Sequence, residues 1–445
     1  MTFEPKTLRA ILVGIQAQGT SDEDLSSSLA ELGRLAKTLG VKVIGELRQK
    51  RDRLDANVLG QGKRVELARL TGGTGVVPRG PPEQRQKVLD EARETMDELL
   101  KETGEPDELA NIVIVDAELT PAQIRNLGKA AGVEVTDRTG VIVDIFHRHA
   151  ASRAAKLQVE IARLKYLAPR MRATGGLTER QAGKGAGETG IELDKRKVRD
   201  RIAEITKELA SIDDESKVRR ARRKDTLRVA LVGYTNAGKS SWMRMLTTSS
   251  VLVEDKLFAT LDTTVRSLFP KSTPQILVSD TVGFIQRLPH DLVASFRSTL
   301  DEAKEASLLL HVVDASDPAF EAQLQVTRDV LSEIGALDGR SLLVLNKIDK
   351  CDADRRTLLA DLYPDALQMS AKDPADVERL HAIIVADFER LLQDMSFVVP
   401  YDQTALIGEV HKRARVVSET FKEDGVHYEL QIAPTESARL LRMLK

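Results

Sequence analysis

The sequence predicts an α/β protein with four parts: an N-terminal α/β domain, an antiparallel helical hairpin, a doubly wound parallel sheet and a small C-terminal α/β module. Three observations predict it. The largely apolar run 227–232 leads straight into a glycine-rich loop and then a helical pattern. Strand-like and helix-like segments alternate from there to about Met395. Two amphipathic helical patterns, separated by a glycine-dense stretch, come before it.

Bulk properties set the frame. A chain of 445 residues exceeds what one core supports, so several domains are expected. The net charge of −2 excludes a protein that coats polyanions with its whole surface. A single cysteine, Cys351, excludes an intrachain disulfide framework and fits a reducing compartment. Residues 1–6 lack the apolar core of a signal peptide, and no stretch approaches the length of a membrane span. The expectation is a cytoplasmic monomer with no membrane span.

Residues 1–150 read as the first domain. Strands are expected at 10–15, 41–44, 112–115 and 133–135. Ser21 and Asp24 can box the start of a helix carrying Leu29, Leu32, Leu35 and Leu39. Thr120-Pro121 opens another helix, with proline at its first position. Between the halves lies a turn-rich insert at 70–82, followed by a charged helix to about Lys101.

Residues 151–224 read as the hairpin. Leu157, Ile161, Leu164 and Ala168 recur at helical spacing, as do Val198, Ile202, Ile205, Leu209 and Ile212. The stretch 173–190 between them is too glycine-rich to continue a helix and reads as a long tip. This part holds 20 Lys/Arg against 11 Asp/Glu, a surplus of nine in a chain whose net charge is −2. Such a surplus serves either a solvated helix face or a footprint for RNA phosphates, and composition alone does not choose.

Residues 225–395 carry the phosphate chemistry. Strands are expected at 228–233, 275–280, 307–314, 341–346 and 366–369, with helices at 289–303, 319–334 and 374–394. The loop Gly233-Tyr234-Thr235-Asn236-Ala237-Gly238-Lys239-Ser240 has the form of a P-loop, whose backbone N–H groups wrap phosphates. Lys239 can reach β/γ-phosphate oxygens, and the Ser240 hydroxyl can join a Mg²⁺ shell. Asp280-Thr281-Val282-Gly283 ends a strand, where Asp280 can hold Mg²⁺ through water and the Gly283 N–H can sense a γ-phosphate.

Asn346-Lys347-Ile348-Asp349 ends the next apolar strand but one. The Asp349 carboxylate can accept from guanine N1–H and N2–H₂, a donor pair that adenine lacks. Ser370-Ala371-Lys372 ends the last strand, where backbone N–H groups can meet guanine O6. The nucleotide is therefore expected to be GTP or GDP. In the segment Phe258-Ala259-Thr260-Leu261-Asp262, followed by Thr263 and Thr264, three threonines compete to complete the Mg²⁺ shell. Phe284 stands where many GTPases place a glutamine to orient the attacking water. Asn236 offers a substitute by ligating a monovalent cation such as K⁺ beside the phosphates. Lys239, Asn236 and Gly283 are thus the catalytic candidates. Residues 396–445 read as a module with a hairpin around Asp424-Gly425.

With these residues assembled, the chain resembles the HflX family of ribosome-associated GTPases. The resemblance rests on the segments 59–63, 118–127, 137–146, 156–160, 164–170 and 185–194, together with 233–240, 258–262 and 280–284. It implies that Thr260 is the switch ligand to Mg²⁺. It also implies a partner, the large ribosomal subunit and its rRNA, with the tip directed toward the peptidyl transferase region. It further implies that the protein can split stalled ribosomes and that its GTP hydrolysis is stimulated by the ribosome, the latter matching the missing glutamine at Phe284. An RNA-modifying first domain is the competing reading, but residues 1–150 show no paired carboxylates, reactive cysteine or metal-spaced histidines. The chain departs from the family pattern in the longer insert at 70–101, in Ser241-Trp242 and in Gly190-Ile191.

Overall fold

The computed structural model describes residues 8–78, 80–170, 190–221, 226–247, 257–258, 264–286, 302–337, 339–403 and 405–443. The expectations for the tip at 173–189, for residues 259–263 and for most of the helix at 289–303 lie outside them. The chain divides into two units, Met1–Leu209 and Ala210–Lys445.

The first unit runs β1 (Arg9–Gln16), α1 (Asp22–Thr38), β2 (Lys42–Lys50), α2 (Gln61–Thr71), α3 (Pro82–Thr103), β3 (Ile112–Val115), α4 (Pro121–Ala131), β4 (Glu134–Asp137), α5 (Arg138–His149), α6 (Arg153–Leu167) and the start of α7 (Gly190–Ala221). Its four strands form a parallel sheet in the order β2-β1-β3-β4. Ser21 and Asp24 cap α1 reciprocally, and Thr120 and Gln123 do the same for α4. Leu25, Leu29, Leu32 and Leu35 then bury one face of α1, as the helical period requires.

Two features escaped the sequence. The strand expected to stop at Ile44 continues to Lys50, because it pairs with β1 as far as Gln16. Its exposed Glu46 and Arg48 alternate with buried Leu47, the pattern of an edge strand with one wet face. Helix α2 lacks a clear apolar stripe, burying only Leu67, Ala68 and Thr71.

Asp137 explains why the segments 137–146 and 164–170 belong together. Its side chain is fully buried, and it caps α5 by accepting from the Gly140 N–H at 2.9 Å. It accepts further bonds from the Leu119 N–H at 3.1 Å, the Tyr166 hydroxyl at 2.9 Å and the Arg170 guanidinium at 2.9 Å. The Arg170 guanidinium lies 3.4 Å over the Tyr166 ring. Burial and the neighbouring Asp137 charge push the Tyr166 phenol up, so it stays a donor. A Cβ on Gly140 would come within 2.5 Å of the Tyr166 hydroxyl, so no larger residue fits there. The end of α6 is thereby tied to the carboxyl edge of the sheet. Beside it, buried Arg138 pairs with Asp116 at 2.7 Å and with Glu31.

The second unit continues α7 and adds β5 (Leu227–Val232), α8 (Lys239–Leu246), β6 (Thr264–Ser267), β7 (Ile276–Asp280), β8 (Leu308–Asp314), α9 (Phe320–Glu333), β9 (Ser341–Asn346), α10 (Ala353–Leu362), β10 (Leu367–Gln368) and α11 (Pro374–Glu389). The six-stranded sheet has the order β10-β9-β8-β5-β7-β6 and is parallel except for β6. The five expected strands lie within two residues of their expected bounds. The added strand β6 was not expected, because its residues Thr264–Ser267 are only partly buried and read as loop. Trp242, fully buried, packs with Val229, Leu231 and Leu246 in the core, so Ser241-Trp242 is a packing variant of α8.

A terminal module follows: β11 (Gln393–Val399), α12 (Ala405–Arg413), β12 (Ala414–Lys422), β13 (Gly425–Ile432) and α13 (Pro434–Met443). The expected hairpin is β12–β13, and β13 sits at the centre of an antiparallel sheet ordered β11-β13-β12. Helix α11 stops at Glu389, and β11 takes Gln393–Val399, three residues of which had been expected in the preceding domain.

Replacing Asp137 by Ala removes four acceptor contacts from a buried position. It is expected to destabilise the first unit by about 3 kcal/mol in denaturant unfolding. Tyr166→Phe, which loses one hydroxyl contact, is expected to cost about 1 kcal/mol.

Candidate functional site

The parallel strands β5, β7, β8 and β9 end side by side, and each is followed by one of the candidate loops. The carboxyl edge of such a sheet is where the fold places its ligands.

Strand β5 turns into the phosphate loop at Gly233. Its φ is +151°, and a Cβ there would collide with the Val312 carbonyl oxygen. Gly238 has φ +101°, and its missing Cβ leaves room for the Asn346 amide. Asn236 holds a left-handed φ of 61° without being glycine. Lys239 and Ser240 then open α8, whose first-turn N–H groups point toward the loop.

Lys239 is buried and donates to the carbonyls of Gly233 at 3.1 Å and Tyr234 at 2.8 Å. Burial lowers its ammonium to about 8, against the opposing pull of the Asp280 charge. The Ser240 hydroxyl donates to Asp280 Oδ2 at 2.8 Å. A hydroxyl and a carboxylate in contact are hard oxygen donors of the type Mg²⁺ takes alongside waters and phosphate, so the pair fits that ion. Among the described residues, no cluster of three His, Cys, Asp or Glu could hold a metal by itself.

The segment after β7 closes on the phosphate loop. Thr281 is buried and donates to the Leu231 carbonyl at 2.7 Å, and Val282 is buried beside it. A Cβ on Gly283 would lie 2.9 Å from Lys239 Nζ and 2.8 Å from Thr235 Cγ2, so this position admits only glycine. The Thr235 N–H donates to the Phe284 carbonyl at 2.8 Å, and the Phe284 N–H donates to the Gly233 carbonyl at 3.2 Å. The Phe284 side chain is itself buried. Tyr234 is buried as well, and its hydroxyl accepts from the Gln286 N–H at 2.7 Å.

Asn346 joins three loops. Its Nδ2 donates to the Ala237 carbonyl at 2.7 Å, and its Oδ1 accepts from the Ala371 N–H at 3.2 Å. Lys347, at φ 60°, donates to the Asn236 carbonyl at 2.7 Å. Ile348, between them and Asp349 in the base loop 346–349, is buried. Asp349 accepts from the Ser370 hydroxyl at 2.7 Å, and the Lys372 ammonium stands 3.6 Å away. Burial pulls the Asp349 carboxyl upward, but the Ser370 hydroxyl and the Lys372 charge outweigh it and hold the group below the usual range. The carboxylate is thus an acceptor at neutral pH. A cavity of about 550 Å³ opens here, lined by Ile348, Asp349, Arg356, Ser370, Lys372 and Asp376.

The structure therefore brings residues 233–240, 280–283, 346–349 and 370–372 to one sheet edge. Phe258 is buried with a φ of 59°, whereas Ala259, Thr260, Leu261 and Asp262 lie outside the described residues. Sequence reasoning missed three supports. Asp376 accepts from the Ser370 N–H at 2.8 Å. Arg356 donates to the carbonyls of Ile348 at 2.9 Å and Cys351 at 3.0 Å. Asp314 pairs with Lys347 at 2.7 Å. Only Asp314 left a trace in the sequence, as a charge ending an apolar strand.

Models of known protein families match three stretches: a GTP-binding GTPase N-terminal region over residues 88–147, a GTP-binding GTPase middle region over 149–223, and a 50S ribosome-binding GTPase over 228–347. GTPase HflX of Gluconacetobacter diazotrophicus is 54% identical, with 100% of this chain and 99% of that protein covered. GTPase HflX of Escherichia coli K12 is 34% identical, covering 94% of this chain and 91% of that protein. Among solved structures, a GTP-binding protein of Sulfolobus solfataricus in complex with GDP aligns with a TM-score of 0.43 and 22% identity. That alignment covers 86% of this chain and 100% of that one.

The lowered Lys239 ammonium sets a pH dependence. Contact with phosphate raises its pKa, so below about 8 the lysine is charged with or without nucleotide and affinity is flat. Above about 8 binding must take up a proton, and affinity is expected to fall by up to about tenfold per pH unit, as read by titration calorimetry between pH 7 and 10. Asp349→Asn is expected to weaken guanine nucleotides by about 100-fold and to favour xanthine nucleotides, in competition binding.

Proposed function

We propose that this chain, which belongs to the HflX family of GTPases, is a guanine-nucleotide switch that docks on the large ribosomal subunit and helps split stalled ribosomes. The chain is a GTPase. The observation that carries the proposal is the gathering of Lys239, Ser240, Asp280, Gly283, Asn346 and Asp349 at one sheet edge, directly after the stretch 151–224 with its surplus of nine positive charges. The family matched at 228–347, that of a 50S ribosome-binding GTPase, supports the same partner. In this reading 1–150 is the N-terminal α/β domain, 151–224 the RNA-facing hairpin, 225–395 the GTPase domain and 396–445 the C-terminal module.

GTP lies with its phosphates in the loop 233–240 and its base against Asp349, Ser370, Ala371 and Lys372. Lys239 turns from its loop carbonyls onto phosphate oxygens, and the first-turn N–H groups of α8 add to that charge. The Gly283 N–H sits beside Lys239 and reports the γ-phosphate. Ser240 and Thr260 would hold Mg²⁺, with Asp280 orienting it, and the ion would supply positive charge against the phosphates. Phe284 has no group to orient water, so intrinsic turnover is slow. Asn236 supplies a side-chain oxygen for a monovalent cation at the same phosphates. The ribosome supplies the remaining stimulation.

Single-turnover hydrolysis is expected to run about tenfold faster in K⁺ than in Na⁺. Equal rates remove the cation role of Asn236. Added large subunits are expected to raise the rate further, and no stimulation would undercut the ribosomal partner. Deletion of residues 175–190 is expected to abolish subunit splitting in sedimentation while GTP binding stays intact.

A further inference from the structure

We infer that Asp314 is a positioning residue for guanine-nucleotide retention, acting through Lys347 on the phosphate loop. This inference rests on the reading of 346–349 as the base loop.

Asp314 is the last residue of β8 and stands opposite Asn346 in the β8–β9 ladder. Its Oδ1 accepts from the Ser316 N–H at 3.1 Å and the Ser316 hydroxyl at 2.6 Å. Its Oδ2 is 2.7 Å from Lys347 Nζ. Both oxygens are engaged, so the carboxylate has one orientation. The same Lys347 ammonium donates to the Asn236 carbonyl at 2.7 Å. A chain of contacts thus runs from carboxylate to ammonium to backbone carbonyl, crossing from β8 through the base loop to the phosphate loop.

Most surface ion pairs contribute little. This one differs because both side chains are largely covered, at 16% and 19% exposure, and because the ammonium has a second task. Lys347 and Asn236 both hold left-handed backbone, at φ 60° and 61°, which asparagine tolerates but lysine keeps only when its surroundings impose it. Without the Asp314 charge, the largely covered ammonium loses its paired anion and turns toward water. The Asn236 carbonyl then loses its donor, and the loop around the phosphates keeps only the Asn346–Ala237 bond as its tie to the base loop.

The test uses the full chain, a fluorescent GDP and stopped-flow release. Asp314→Asn keeps the acceptor for Ser316 and the side-chain shape but removes the charge. Release is expected to speed up about tenfold, with the melting temperature within the wild-type range. Because Asp314 acts through Lys347, the double variant Asp314→Asn with Lys347→Ala is expected to release GDP no faster than Lys347→Ala alone. Additive effects, or unchanged release in Asp314→Asn, would overturn the inference. Asp349→Asn serves as the separate check on the base loop. If it fails to shift preference toward xanthine, the base-loop reading falls; if it shifts while Asp314→Asn releases normally, only the positioning role of Asp314 falls.

Discussion

The second unit depends on one buried amide. Asn346, 1% exposed, fills the space that Gly238 leaves by lacking a Cβ, and it bonds Ala237 on one side and Ala371 on the other. Phosphate loop, base loop and the loop at 370–372 are therefore aligned by a single side chain. A larger residue at Gly238 would expel the amide. A smaller one at 346 would leave buried backbone groups without partners, which costs more than the bonds themselves contribute. The parallel register of β5, β8 and β9 is what brings these loops within reach.

Buried charge plays the corresponding part in the first unit. Asp137 collects four donors, and Arg138 joins Asp116 and Glu31 beneath α1. Such groups are expensive to desolvate and gain little over an apolar core of equal volume. What they add is direction: each partner has one geometry, and the end of α6 is held against β4 by Tyr166 and Arg170. The Asp137 cluster fixes the end of α6 by hydrogen bonds that apolar packing could not specify.

Much of this was legible in the chain because the signals were local. The apolar strand before Gly233, the lysine and serine at the helix start, and the Asn-Lys-Ile-Asp after a second apolar strand each announce their place without reference to anything distant. Elements with weak local pattern were not legible. Strand β6 is half-wet, β2 continues through alternating charges, and α2 buries only three of its residues. Strand β11 was hidden because Gln393, Asp394 and Ser396 are polar and exposed, so the segment read as the end of a helix.

By itself, then, the sequence determined that the chain is an α/β GTPase and which loops are candidates to meet the nucleotide, because loop chemistry needs particular atoms at particular spacings. Only the tertiary structure decided which groups hold those residues in place. Asp314 with Lys347, Asp376 with Ser370, and Arg356 with Ile348 and Cys351 are contacts made by strand register and helix packing. The same holds for Tyr166 with Asp137, 29 residues apart in sequence. The physical reason is common to all of them: a hydrogen bond between distant residues exists only once the backbone has brought them within about 3 Å, and no spacing in the chain encodes that distance.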